Sequence, residues 1–222
     1  LEELTLDGVN VVAGSTGVYA EEVDEVYLAN VEVKRFEKNV HINGGQRGFF
    51  TNVAISGAQY GVHLEGDAAE VRDFRWIGGT ISTCQEIGLW LENAGEPVWH
   101  NVFQDVVCFE GTDDAIRLTG ALFTRFYNCS VRDYDDAIVI EDVTPAGINN
   151  ETLNVHFVGG YIDSCNVRLD GQCQDVQFED MGFSAVAFIV ATTTQNQVTL
   201  IDCLEDSEVS ISGDGTKLQR WR

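Results

Sequence analysis

Two short stretches of this 222-residue chain carry paired acids in one frame: positions 112–118 read TDDAIRL and positions 134–140 read YDDAIVI. Asp113 and Asp114, then Asp135 and Asp136, stand at the same offset ahead of the same apolar alternation. Paired carboxylates support three kinds of chemistry. They can hold a hard cation, and Ca2+ is the candidate ion at these pairs. They can pair with a guanidinium, for which Arg117 and Arg132 are available. Or one acid takes a raised pKa and becomes a proton donor near neutral pH. Carboxyls about 5–5.5 Å apart suit a retaining glycosidase, and a separation of about 6.5–9.5 Å suits an inverting one. Glu92 is a further acid within reach of such a site, and the sequence leaves the choice of pair open.

The elements that position these acids are read from a repeat. Pairs of apolar residues flanking one outward residue occur at Val18/Ala20, Val40/Ile42, Val62/Leu64, Leu89/Leu91, Ile116/Leu118, Ile138/Ile140, Val167/Leu169, Phe188/Val190 and Val209/Ile211. Successive steps are 22, 22, 27, 27, 22, 29, 21 and 21 residues. A turn residue commonly follows, as at Gly44, Gly66, Asn93, Gly120, Gly171 and Gly213. A second track runs through LANVEV, FTNVAI, WIGGTI, FQDVVC, FYNCSV, FVGGYI and FEDMGF. It places Asn30, Asn52, Gly78, Asp105, Asn128, Gly159, Asp180 and Asp202 at one recurring corner, where side chains can hydrogen-bond from coil to coil.

Strict alternation with β-branched and aromatic content excludes a helical solenoid. A propeller blade needs about 40 residues. A period near 22 with short strands predicts an all-β fold: one single-stranded parallel β-helix of about nine coils, spanning 1–215, with 216–222 as tail or cap. Adjacent coils then lie about 4.8 Å apart, where two stacked carboxylates repel by roughly 3–4 kcal/mol at an effective dielectric near 20.

The Asn corner and the G-[IV]-x-[IL] strand resemble the right-handed pectin-lyase-like β-helices, a family of pectate lyases, polygalacturonases and viral tailspikes. The resemblance covers about residues 4–215 and implies the handedness, a polysaccharide ligand, and a homotrimer if the chain is a spike. Gly111-Thr112-Asp113 and Asp135-Asp136 occupy the places of the polygalacturonase acids. The family's Gly-His-Gly is replaced by DSCNVRL, and its Arg-Ile-Lys is absent. Against pectate lyases, Arg168 is the candidate base.

Outward residues on the first strand should form a column: Tyr19, His41, His63, Trp90, Arg117, Val139, Arg168, Ile189 and Ser210. The next outward column reads Glu21, Asn43, Glu65, Glu92, Thr119, Glu141, Asp170, Ala191 and Ser212. Loops lengthen beside the middle of this face, most of all at positions 142–152. The candidate catalytic residues are thus Asp113, Asp114, Asp135, Asp136 and Glu92. The candidate sugar contacts are Trp90, Arg117, His63, Glu65, Glu141 and Arg168, since sugar rings stack on aromatics and hydroxyls bond to charged groups.

Composition narrows the partners. Acids number 36 against 13 basic residues, a net charge of −23, which disfavours nucleic acid. No apolar run reaches the roughly 20 residues that span a membrane. The lysine-poor acidic surface resembles proteins of salt-loving archaea and their viruses. The six cysteines show no zinc spacing, and Cys165 with Cys173 is the one candidate bridge. Asn150-Glu151-Thr152 and Asn128-Cys129-Ser130 are glycosylation sequons, the second expected to be inaccessible in its corner. The functional expectation is a glycan-binding, and by extension glycan-cleaving, domain of an extracellular or virion-surface spike. A free secreted polysaccharide hydrolase or lyase and a purely structural solenoid are the alternatives.

Overall fold

The computed structural model describes residues 4–8, 12–67, 69–141, 152–170, 173–190, 197–205, 210–212 and 217–221. Ala191, Val209, Gly171, Gly213, the insertion at 142–151 and the Asn150 sequon lie outside them. The described strands join one continuous, all-parallel sheet that coils into a β-solenoid. Among the described residues no helix is long and apolar enough to cross a membrane.

The first face is built from Thr16–Val23, Lys38–Gln46, Tyr60–Gly66, Ile87–Asn93, Asp114–Thr119, Asp136–Glu141, Asn166–Leu169, Ala187–Val190 and Ser210–Ser212. Its register follows the apolar pairs: Val18 faces Val40, then Val62, Leu89, Ile116, Ile138, Val167 and Phe188. The eighth step departs from expectation. Phe188 pairs with Ile211 and Ile189 with Ser212, so this coil is two residues longer than expected and Ser212 replaces Ser210 in the column. A slip of two keeps every side chain on its own face, so alternation alone cannot detect it.

The opposite flank of each coil is a strand bent near its middle, as in Gly48–Ser56, Arg75–Ser82, Val102–Phe109 and Arg125–Arg132. The bend falls on the expected corner. Asn30, Asn52, Asp105, Asn128, Asp180 and Asp202 have φ between 50° and 55°, and Gly78 and Gly159 have 65° and 67°. The left-handed region costs most L-residues about 1–2 kcal/mol, and Gly, Asn and Asp least. Asn52 Nδ2 donates to Asn30 Oδ1 at 3.0 Å, and Asn128 Nδ2 to Asp105 Oδ1 at 2.6 Å. These corners project outward: Asn128 is exposed, contrary to expectation, because a left-handed bend in a convex coil turns its side chain to solvent. A second left-handed corner, unmarked by composition, runs through Arg35, Gly57, Thr83, Glu110, Asp133, Ser164 and Ala185.

Stacking supplies the core. Phe103, Phe126, Phe157 and Phe178 form a column with ring centroids 4.9, 4.5 and 4.9 Å apart and planes within 13° of parallel. Trp76 is fully buried beside Phe50. Gly111 makes room for Tyr134, whose ring occupies the space where a β-carbon would sit. All six cysteines are thiols, so Cys165 and Cys173 do not bridge. Lys217–Trp221, assigned to the tail or cap, pairs in parallel with Gln197–Ile201 and continues the ladder.

Candidate functional site

The expected columns assemble on the first face, and a diagonal pattern links them. Four residues of the first column meet the second-column residue one coil further on. His41 Nε2 lies 2.6 Å from Glu65, His63 Nε2 2.8 Å from Glu92, and Trp90 Nε1 donates to Thr119 Oγ1 at 3.2 Å. Arg117 Nε continues the diagonal to Glu141 at 3.9 Å. Two outward positions on strands one coil apart are within side-chain reach, so a longer side chain naturally leans onto the next coil.

The same column is a stack of rings. His41 and His63 lie 4.8 Å apart at 6°, and His63 and Trp90 lie 4.3 Å apart at 10°. The Arg117 guanidinium sits 6.0 Å from the Trp90 centroid on the next coil. Trp90 therefore has neighbours on both faces, with Tyr60 tilted against it at 5.9 Å. It offers a ligand its edge rather than a stacking face. Val139, placed outward in the column, is fully buried between Arg117 and Arg168.

The paired acids divide into a covered and an open member. Asp114 and Asp136 are direct cross-coil partners, and both are buried. Asp113 is half-buried and Asp135 exposed. Arg117, three residues after Asp114, turns back to it, with Nε donating to Oδ2 at 2.6 Å. Arg168 reaches back a coil to Asp136 at 2.8 Å and also binds Asp170. Guanidinium pairing is one compensation that the stacked acids have. Its sources are Arg117 and Arg168, whereas Arg132 lies over Phe109 at 5.4 Å.

Asp114 is the unusual acid. Burial raises its pKa from 3.8 to about 6, outweighing the neighbouring Arg117 guanidinium, and Asp113 and Asp136 add to the rise. Its coil neighbour on one side is the apolar, buried Ile87, which accounts for the lost solvation. Its Oδ1 is buried without a hydrogen-bond partner among the described residues. Burial also raises the Glu92 carboxyl.

Three participants were not singled out from sequence, Lys38, Tyr60 and Glu86, and His41 was placed in the column without a role. Lys38 Nζ lies 3.1 Å from His63 Nδ1, so His63 accepts there and donates from Nε2 to Glu92. Burial and Lys38 push the His63 pKa down to about 3, leaving a neutral imidazole between a cation and an anion. Tyr60 and Gln59 both donate to Glu86, which raises the Tyr60 phenol to about 12 and lowers the Glu86 carboxyl. A signal existed: three positions before the first column, Lys38, Tyr60, Ile87, Asp114 and Asp136 align coil to coil.

His41, His63 and Glu65 are close enough to share a metal ion, with ligand atoms within 4.8 Å. The geometry of the stack opposes it. Ring nitrogens bind metals in the ring plane, and two planes 6° from parallel cannot both contain one ion. The ammonium of Lys38 adds a nearby positive charge.

No protein-family model and no curated protein matches this chain. Two solved structures share 12% identity, both of QnrB1, a plasmid-mediated fluoroquinolone resistance protein, in trypsin-treated forms. One covers 87% of this chain and 91% of its own at a TM-score of 0.30; the other covers 90% and 91% at 0.20.

Proposed function

We propose that the chain is a glycan-binding β-helix domain of an extracellular or virion-surface spike, and that it holds an extended polysaccharide along the ladder of the first face. The observation that carries this reading is the ladder itself. Partly exposed Glu65, Glu92, Glu141 and Asp170 share one column, interrupted once by Thr119, and are held by His41, His63, Arg117 and Arg168. A linear polymer of repeating hydroxyl groups can then meet a preorganised acceptor on successive coils, at little cost in side-chain entropy. Cleavage, as an extension of this reading, falls to the open acids Asp113 and Asp135, because Asp114 and Asp136 are covered.

A glycan array with turnover measured in parallel tests this. Binding that drops at least tenfold in Glu92→Gln and Arg168→Ala supports the ladder as the site. Turnover lost in Asp113→Asn or Asp135→Asn supports cleavage. No binding to any glycan sinks the proposal. It would leave the second reading, a structural solenoid, which the internal pairing of His63, Arg117 and Arg168 favours.

A further inference from the structure

The bent strands present a face of opposite character. Its first outward column is Tyr27, Phe49, Arg75, Val102, Arg125 and His156, joined coil to coil. The second is Ala29, Thr51, Ile77, Gln104, Tyr127 and Val158. None of these twelve positions is Asp or Glu, in a chain with 36 acids; the next coil continues the columns with Gln177 and Glu179, so the acid-free stretch is these six coils. The twelve corresponding positions of the ladder face include Glu21, Glu65, Glu92 and Glu141. The acid-free face also holds exposed apolar side chains: Tyr27 at 70%, Ile77 at 47%, Tyr127 at 40% and Phe49 at 39%.

We infer that this face is where the chain associates with a second copy of itself. The charge argues for that occupant. A basic partner would be drawn to the acidic ladder face. A copy, carrying the same net charge of −23, is repelled least where carboxylates are missing. Self-complementarity adds to this. Arg75 on the face stands near exposed Asp73 and Asp105 at its two rims, so a two-fold contact can set arginine against rim acid on both sides. Six strands at about 4.8 Å extend the face over roughly 25–30 Å. Two copies or more satisfy the argument, the trimer implied by the spike resemblance being one arrangement. The inference is independent of the glycan reading.

Sedimentation velocity from about 1 to 100 µM, in low and in molar salt, tests it. The expected result is a concentration-dependent rise above the 24.5 kDa protomer, stronger in high salt where long-range repulsion is screened. Ile77→Glu and Tyr127→Glu should each weaken association at least tenfold. Ala94→Glu, the same charge on an exposed loop residue away from this face, should leave it unchanged. Circular dichroism checks folding, and Thr51→Glu replaces any variant that fails to fold. A single 24.5 kDa species throughout overturns the inference, as does association that survives the face variants or falls equally with Ala94→Glu.

Discussion

Replacing Asp114 by Asn probes the most perturbed acid of the face without changing its shape. Burial lifts the carboxyl from 3.8 to about 6, a shift of roughly two units or about 3 kcal/mol. An acid with a higher pKa folded than unfolded holds its proton more tightly in the fold. Its stabilising contribution is therefore complete below about pH 4 and is lost as pH rises through about 6. Asn cannot ionise and carries no such dependence. The stability of Asp114→Asn relative to wild type should therefore rise by about 2–3 kcal/mol between pH 4 and pH 7.5. Any fixed offset from altered bonding to Arg117 drops out of that difference, as do titrating groups not coupled to Asp114. Urea unfolding at five or six pH values, followed by tryptophan fluorescence, measures it. A difference flat within about 0.5 kcal/mol would refute the burial argument. A difference of opposite slope would mean that Arg117 outweighs burial and that Asp114 is a low-pKa carboxylate.

His63 should act in the opposite sense. Its folded pKa lies near 3, against 6.5 unperturbed, so its stabilisation is full above 6.5 and is lost as pH falls towards 3. His63→Phe keeps a ring in the stack and should remove about 3 kcal/mol of acid lability by pH 4, read from acid-unfolding curves. At the corner, Asn52→Ala should cost about 1–2 kcal/mol more than Asn52→Gly, because a β-carbon at φ 51° is strained and glycine is not. Equal effects in denaturant melts would show that the bond to Asn30 matters more than the backbone. Gly111→Ala should cost more than about 3 kcal/mol, since its β-carbon meets the Tyr134 ring. Tyr134→Ala should rescue a large part of that loss in the double variant; a purely additive double variant would put the strain elsewhere.

Much of the architecture is legible in the chain because a repeat announces itself. Inward slots must be apolar, and the Asn, Asp or Gly of the first corner suit its left-handed backbone. Seven of the eight coil steps and all eight corner residues follow from those two constraints. The second corner was not legible, because Arg35, Thr83 and Ala185 carry no turn signature and are held left-handed by the coils around them. The last register was not legible either, because a slip of two conserves alternation.

The candidate site divides the same way. Sequence alone determined that Asp114 stacks on Asp136, that Trp90 sits between His63 and Arg117, and that Glu65 and Glu92 share a column, since the recurring apolar pairs dictate who stands above whom. Only the tertiary structure decided what those neighbours do to one another. Covering Asp114 with Ile87 and Asp136 raised its pKa; seating His63 between Lys38 and Glu92 made it neutral; packing rings at the coil rise left Trp90 with an edge and no open face. Each outcome depends on side-chain direction and lost solvent across coils some 22–30 residues apart in the chain, and a linear pattern records position but neither direction nor burial.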